Sequence, residues 1–451
     1  MTERRLSARE VVALVADDFT ELPSAPRESE PDGPLAWQGY DASRARAAER
    51  TGEEESVVWG RAGVGTSAAV LIAFEFGFLG GSLGERTGDR LEAAYTYARE
   101  HRLPVVSLVA TGGSRMQEGM RALTQLQRVA RQSALTREAG LPQIAVLRDP
   151  TTGGGWATLG AGADIVLALP GAQIGFAGSR VRPPDADPAA YTAESQVAVG
   201  AADGVVHPGH LRETLALWLT LLTAPSTTPA PPPRALSSST TLPTTGWEAV
   251  ARARSPQRAR ADAYLDAYFT RRAAVSGDRV GGTDPGMLCG FGEHEGRTVA
   301  YAAQRGTATR PAGYRTAARL IRLADRLGIP VLTLVDTPGA ANDATAERQG
   351  AGAAIADLFA TITTARTPIT TLLIGEGGSG GALALAAPDN TWATPDSYFS
   401  VIAPELAAAI LKRPEGQVRT TADELRVRPQ DLVELGVVRG VVRGAAATHP
   451  S

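Results

Sequence analysis

Two glycine-rich loops hold the residues best placed to do chemistry. Asp149-Pro-Thr-Thr-Gly-Gly-Gly155 ends an apolar run and opens a small-residue helix, and Gly375-Glu-Gly-Gly-Ser-Gly-Gly381 repeats the setting about half a chain later. Consecutive glycines after a strand let backbone approach a ligand closely and leave N–H groups pointing into a cleft. Two such clefts suit an enzyme that holds two oxyanions with backbone donors, each worth about 10²–10³ in rate. Either loop alone reads as an ordinary strand-to-helix turn. The pairing favours catalysis.

Few side chains compete for that role. His207 and His210 flank Pro208-Gly209, yet no cysteine or carboxylate joins them at ligand spacing, so no bound metal is expected. Cys289 is the sole cysteine, which excludes an intrachain disulfide framework. Ser114 and Ser379 lie in glycine loops that lack the G-x-S-x-G elbow of a serine nucleophile, and Ser114-Arg115 reads as a helix cap with a cationic neighbour. Glu118 and Glu376 sit near the clefts, where a carboxylate can act as general acid or base. The preferred reading is a helix-dipole partner for Glu118 and a loop brace for Glu376.

The elements that must position these loops follow from length and pattern. A chain of 451 residues exceeds one ordinary core and predicts two domains. An apolar share of 43% with 49 glycines fits α/β structure, and a net charge of −3 gives no general attraction to nucleic acid or anionic membrane. Lys412 is the only lysine, so guanidinium or backbone N–H must hold any anion. The acidic turn of the first ten residues argues against a signal peptide. The most apolar run, Ala68 to Phe78, is interrupted by Glu75 and too short to span a bilayer, so a soluble cytoplasmic protein is expected.

Residues 1–55 are polar and carry Pro23, Pro26, Pro31 and Pro34, which predicts one short helix (Ala8 to Asp17) and then a loop. Thr223 to Thr245 holds six prolines among serines and threonines and reads as a flexible linker. The halves on either side repeat each other. Pro104 and Pro330 are 226 residues apart, Gly154 and Gly381 are 227 apart, and Pro170 and Pro395 are 225 apart. Gly204-Val-Val206 is echoed by Gly436-Val-Val438 at 232. Steady spacing over four landmarks indicates a duplicated domain. Short β-rich runs such as Val105–Ala110, Gln143–Leu147, Val331–Val335 and Thr370–Ile374 lack period-two alternation, as strands buried on both faces do. The expectation is α/β twice, each with a parallel sheet under helices.

The ordered motifs resemble the crotonase-type carboxyltransferases, the β and α subunits of bacterial acetyl-CoA carboxylase joined in one chain. Phe74 to Gly84, Thr111-Gly-Gly-Ser-Arg-Met-Gln-Glu-Gly119, Asp149 to Gly154 and Ile174 to Gly178 are similar to β-subunit motifs. Val335-Asp-Thr-Pro-Gly-Ala340, Ile374 to Ala384 and Tyr398 to Glu405 are similar to α-subunit motifs. The resemblance implies two tandem domains of ClpP/crotonase (ββα-superhelix) fold. The β-like domain spans 56–222 and faces acyl-CoA; the α-like domain spans 247–443 and faces biotin. A 1–55 extension, a 223–246 linker and a 444–451 tail complete the chain.

In that family a carboxyl group passes from carboxybiotin, presented by a separate carrier protein, to the α-carbon of a coenzyme A thioester. The resemblance places one oxyanion hole at Gly153, Gly154 and Gly155 with Gly112 and Gly113 alongside. The other falls at Gly380, Gly381 and Ala382, supported by Gly339 and Ala340. Arg115 is the first candidate for a CoA-phosphate or carboxylate contact, with Arg86 and Arg90 as further candidates. The implied partners are a biotin carboxyl carrier protein, a biotin carboxylase and a second copy of the chain in a homodimer or larger assembly. The product would be malonyl-CoA or an analogue.

Three departures bear on substrate. The family's β subunit usually begins with a four-cysteine zinc ribbon, which is absent here. Ala341-Asn-Asp343 stands where the α subunit typically has Tyr-Pro-Gly. Trp156 follows the first glycine loop, where it would narrow or re-aim an acyl pocket. Two alternatives therefore stay open: a malonyl-thioester decarboxylase using the same fold, and a non-catalytic assembly partner of a carboxylase.

Overall fold

The computed structural model describes residues 5–25, 27, 30–236 and 241–444; the tail beyond 444, Pro26 and residues 237–240 of the linker lie outside them. The chain forms two compact units, Met1–Thr223 with Arg279–Gly281, and Ala224–Asp278 with Gly282–Ser451.

The first unit is built on strands β1 (Asp18–Glu21), β2 (Val57–Val64), β3 (Ser67–Phe74), β4 (Val105–Thr111), β5 (Gln143–Thr152), β6 (Ile165–Ala168), β7 (Ile174–Gly175) and β8 (Gly204–Val205). Their order is β1-β2-β3-β4-β5-β6-β8, with β7 beside the end of β5. The β1–β2 and β2–β3 pairs are antiparallel, and the pairs from β3 onward are parallel. Every residue of β4 is buried; Leu91, Ala94 and Ala98 of helix Glu85–Glu100 and Val129 of helix Gly119–Glu138 share a core with Val105 and Val109 on one of its faces, and β3 and β5 flank it. That explains its unalternated apolar run.

The second unit repeats the plan with β9 (Arg271–Val275), β10 (Met287–His294), β11 (Arg297–Gln304), β12 (Val331–Thr337), β13 (Ile369–Gly378), β14 (Thr391–Ala393) and β15 (Tyr398–Ser400). Its order is β14-β13-β12-β11-β10-β9, with β15 beside the end of β13. Helix Pro311–Leu327 matches Glu85–Glu100. It starts on Pro311, whose missing N–H is harmless there, and stops at Gly328 with φ +66°.

The duplication extends to irregularities. The β4–β5 register shifts between Val109 and Thr111, and the β12–β13 register shifts between Val335 and Thr337. Isolated bridges Leu83–Ser114 and Thr309–Ala340 recur at the same spacing. Thr111 faces Thr151 and Thr337 faces Gly377, so the structural offset is 226 through the glycine loops. Gly153 (φ +63°) therefore corresponds to Ser379 (φ +58°), and Gly154 to Gly380. The sequence landmark of 227 was one residue out of register, because a string of glycines does not mark its own phase.

Two expectations about the flanking segments change. The first helix is shorter, Ala8–Val15, and is held by a capping box between Ser7 and Glu10. The stretch after it, expected as loop, contains β1 and a helix, Tyr40–Thr51. That helix buries only Tyr40 and Ala47, so it has no apolar periodicity to read. The described part of the Pro-rich segment has no helix or strand, yet it packs on the second unit rather than forming a flexible linker. Ala230 and Ala235 are buried; Thr370 Oγ1 donates to Ala230 O at 2.7 Å and Tyr268 Oη to Pro231 O at 2.9 Å. Core hydroxyls supply the donors that its prolines lack.

Candidate functional site

The loops after β4 and β5 meet at the carboxyl ends of the parallel strands, where open α/β sheets bind ligands. Gly113 takes φ +106° while its N–H donates to Thr111 Oγ1 at 3.0 Å, and the Gly112 N–H donates to Gly80 O at 2.9 Å. A Cβ on Gly153 would stand 3.2 Å from Gly113 Cα, so the two turns are in backbone contact. Gly153 N–H is taken by Phe176 O at 3.1 Å. Gly154 and Gly155 follow in the short helix Gly153–Gly155, and their N–H groups meet no acceptor among the described residues. The structure thus gathers Gly112, Gly113, Gly153, Gly154 and Gly155 into one cradle with two unengaged donors.

The second unit builds the same cradle. Gly339, at φ +140°, donates to Thr337 Oγ1 at 3.1 Å, the counterpart of the Gly113–Thr111 bond. A Cβ on Gly381 would fall 2.3 Å from Ala340 N, and one on Gly378 2.0 Å from Pro338 O, so only glycine permits this approach. The N–H groups of Ala340, Gly380 and Gly381 have no acceptor among the described residues. Ala382 is fully buried behind them. Such donors fit a ureido oxygen as well as they fit an enolate.

The side chains sort differently from the sequence reading. Arg115 is not available to a ligand: it is 1% exposed and ion-paired to Glu55, with Ser82 O also accepting from it at 2.8 Å. Its partner lies sixty residues away in sequence, so a lone arginine in a glycine loop looked free. Burial would raise the Glu55 carboxyl, but the Arg115 charge overcomes it and holds the group down at about 2. Arg90 is spent on Val57 O at 2.7 Å. Arg86 lines a separate cleft of about 130 Å³ with Arg27, Tyr40, Arg44, Glu118 and Arg121, and donates to Arg27 O at 3.1 Å.

Glu118 does complement a helix N-terminus, although that of Glu85–Glu100: its Oε2 accepts from Glu85 N at 2.6 Å. Glu376 braces its loop through Arg254 at 2.9 Å and Tyr398 Oη at 2.9 Å. Sequence reasoning missed Asp336, which is fully buried between Arg258 (2.5 Å) and Arg260 (3.2 Å) and accepts from Glu376 N at 3.1 Å. Its signal was the aspartate at the end of an otherwise apolar run.

Trp156 directly follows the first cradle and is half-buried. It packs against the first core and across Gly160, where a Cβ would lie 2.5 Å from the ring. The altered stretch 341–344 is the start of helix Ala344–Arg348, with Asp343 capping Thr345 N and Ala346 N at 2.9 and 3.0 Å. Among the described residues, no group of three or more His, Cys, Asp or Glu side chains converges, and no helix is long and apolar enough to cross a membrane.

Tandem ββα units whose central strands end in cradles of free N–H groups define the crotonase class. Residues 234–449 match the family model described as acetyl co-enzyme A carboxylase carboxyltransferase-like. A Salinispora arenicola protein named acetyl-coenzyme A carboxylase carboxyl transferase subunits beta/alpha is 39% identical, covering 99% of this chain and 84% of its own. A Mycobacterium bovis probable biotin-dependent acyl-coenzyme A carboxylase beta3 subunit is 35% identical over 92% of this chain and 85% of its own. In fold, the chain is similar to the transcarboxylase 12S structure (TM-score 0.80, 20% identity, 97% of this chain and 87% of that one). A single-chain long-chain acyl-CoA carboxylase gives a TM-score of 0.75 at 21% identity, over 97% of this chain and 44% of that one. The chain belongs to the acetyl-CoA carboxylase carboxyltransferase family, with β-like and α-like halves in one polypeptide. Its reaction class is carboxyl transfer to an acyl-CoA thioester.

Proposed function

We propose that the chain is the carboxyltransferase component of an acyl-CoA carboxylase, with acetyl-CoA as first substrate and malonyl-CoA as product. The observation that carries this reading is the pair of equivalent cradles with unengaged N–H donors, one in each unit. In the first unit, Gly154 and Gly155 donate to the thioester oxygen as negative charge develops on it, and Gly112 and Gly113 hold the facing wall. In the second, Ala340, Gly380 and Gly381 donate to the ureido oxygen of biotin, with Gly339 and Ala382 shaping the turn. Carboxybiotin supplies the carboxyl group and, once it is released, a base for the α-proton. No side-chain base is needed from the chain. Arg86 remains the substrate-side cation.

The domain roles follow: residues 56–222 on the acyl-CoA side and 247–443 on the biotin side. The partners proposed are a biotin carboxyl carrier protein, a biotin carboxylase and further copies of this chain in the cytoplasm. The transcarboxylase 12S neighbour assembles as a hexamer, which supports self-assembly. The test gives purified chain malonyl-CoA with and without free biotin. Biotin-dependent loss of malonyl-CoA supports the transferase. Biotin-independent loss would establish the decarboxylase instead, and absence of both turnover and CoA binding would leave an assembly partner.

A further inference from the structure

Tied to the Gly112–Gly113 turn is a set of buried polar groups that neither cradle uses. Tyr40 Oη donates to Glu118 Oε1 at 2.5 Å and accepts from Arg115 Nη1 at 3.2 Å. Arg115 Nη1 also reaches Glu118 Oε1 at 3.4 Å, but the same nitrogen donates to Glu55 Oε2 at 3.1 Å and Nη2 is ion-paired to Glu55 as well. Backbone bonds tie this set to the turn: Leu83 N donates to Gly113 O and Arg115 N to Leu83 O, both at 2.9 Å. A Cβ at Gly84 would lie 2.5 Å from Glu118 Oε1 and 2.8 Å from Arg115 Nη1, so only glycine fits beside the pair.

From this we infer that Tyr40, supplied by the segment before β2, is a positioning residue for the first cradle. The inference rests on the reading of that cradle as the acyl-CoA side. Two buried carboxylates share one guanidinium, and Glu55 holds the closer contact. Glu118 therefore depends on uncharged donors, and the structure gives it Tyr40 Oη and Glu85 N–H. A buried carboxylate that loses a donor is costly, and it relaxes by turning toward solvent or by drawing Arg115 away from Glu55. Either movement pulls on Arg115 and, through Leu83, on Gly113, which touches Gly153. The second unit has no counterpart at the equivalent positions, since Ala341 and Ala344 stand 226 residues beyond Arg115 and Glu118; its own Tyr398–Glu376–Arg254 set braces the other glycine loop from different elements. The Tyr40 brace thus belongs to the first cradle, and a helix with no readable apolar face completes it.

The test compares Tyr40→Phe with Arg50→Ala in the full chain. Arg50 anchors the far end of the same helix to Gly77 O without touching the set. Tyr40→Phe is expected to lower kcat for biotin-dependent malonyl-CoA loss at least tenfold, with KM for malonyl-CoA within twofold, while Arg50→Ala keeps both. Amide exchange across residues 112–118, followed by mass spectrometry, is expected to quicken at least tenfold in Tyr40→Phe only, whatever the turnover. Unchanged exchange in Tyr40→Phe, a rise in KM with kcat intact, or an equal loss in Arg50→Ala would overturn the inference. An inactive unaltered chain whose exchange still responds to Tyr40→Phe would count against the functional reading and leave the brace standing.

Discussion

Gly381→Ala tests the second cradle with one methyl group. The added Cβ would lie 2.3 Å from Ala340 N, 2.7 Å from Tyr314 Oη and 2.9 Å from Gly339 C. Ordinary contact begins near 3.4 Å, so Ala340 and Gly339 must retreat by about an ångström, and both are backbone. The displaced atom at 2.3 Å is itself one of the proposed donors. A misplacement of about 1 Å costs on the order of 10²-fold in rate, and loss of a single oxyanion donor costs about 10²–10³. The expected fall in kcat for biotin-dependent malonyl-CoA turnover is therefore about 100-fold, or about 2.7 kcal/mol at the transition state. Binding of CoA, followed by calorimetry, should be unchanged because the first cradle is untouched. Gly352→Ala is the control: nothing lies within 4 Å of its Cβ, so activity should stay at the unaltered level. A Gly381→Ala protein with unaltered kcat would show that Ala340 N–H is not a donor in the reaction.

Two further outcomes follow from the same geometry. Glu55 is held at about 2 against an ordinary value of 4.5, so its charged form adds stability that is present above pH 4.5 and lost as pH falls from there through 2. Urea midpoints across that window should fall for the unaltered chain and flatten for Glu55→Gln, and parallel profiles would contradict the assignment. Ser379 keeps a left-handed backbone that its Gly153 counterpart adopts freely, so Ser379→Gly should leave the fold intact and raise stability by up to about 1 kcal/mol. A lower denaturation midpoint would contradict that.

Much of this architecture was legible because the parallel strands are buried on both faces and announce themselves as unalternated apolar runs ending in glycine. The duplication was legible too, through prolines and glycines at steady spacing. Its phase was not: Gly153 and Ser379 are equivalent because they share a backbone conformation, which differing residue types conceal. The fourth landmark also slipped, since Val441, not Gly436, pairs with β14 as β8 pairs with β6. Arg115 looked like a ligand contact because Glu55, its partner, is distant in sequence. Tyr40 went unnoticed because its helix buries just two residues. The Pro-rich segment looked mobile by composition, whereas tyrosine and threonine hydroxyls from the second core hold its carbonyls.

The central claim is that backbone N–H groups of the first cradle carry the transfer. Its most direct measurement is single-turnover transfer of a labelled carboxyl group from a carboxylated biotin carrier to acetyl-CoA, comparing the unaltered chain with Gly154→Pro. Proline removes one donor, and since its Cβ would meet the Leu126 side chain at 2.3 Å, Gly154→Ala, which adds the same Cβ and keeps the N–H, serves as the steric control. Labelled malonyl-CoA is expected from the unaltered chain, and its appearance from the variant is expected to be at least roughly 100-fold slower, with CoA still bound. Equal rates in the two proteins, or no labelled product from the unaltered chain, would contradict it.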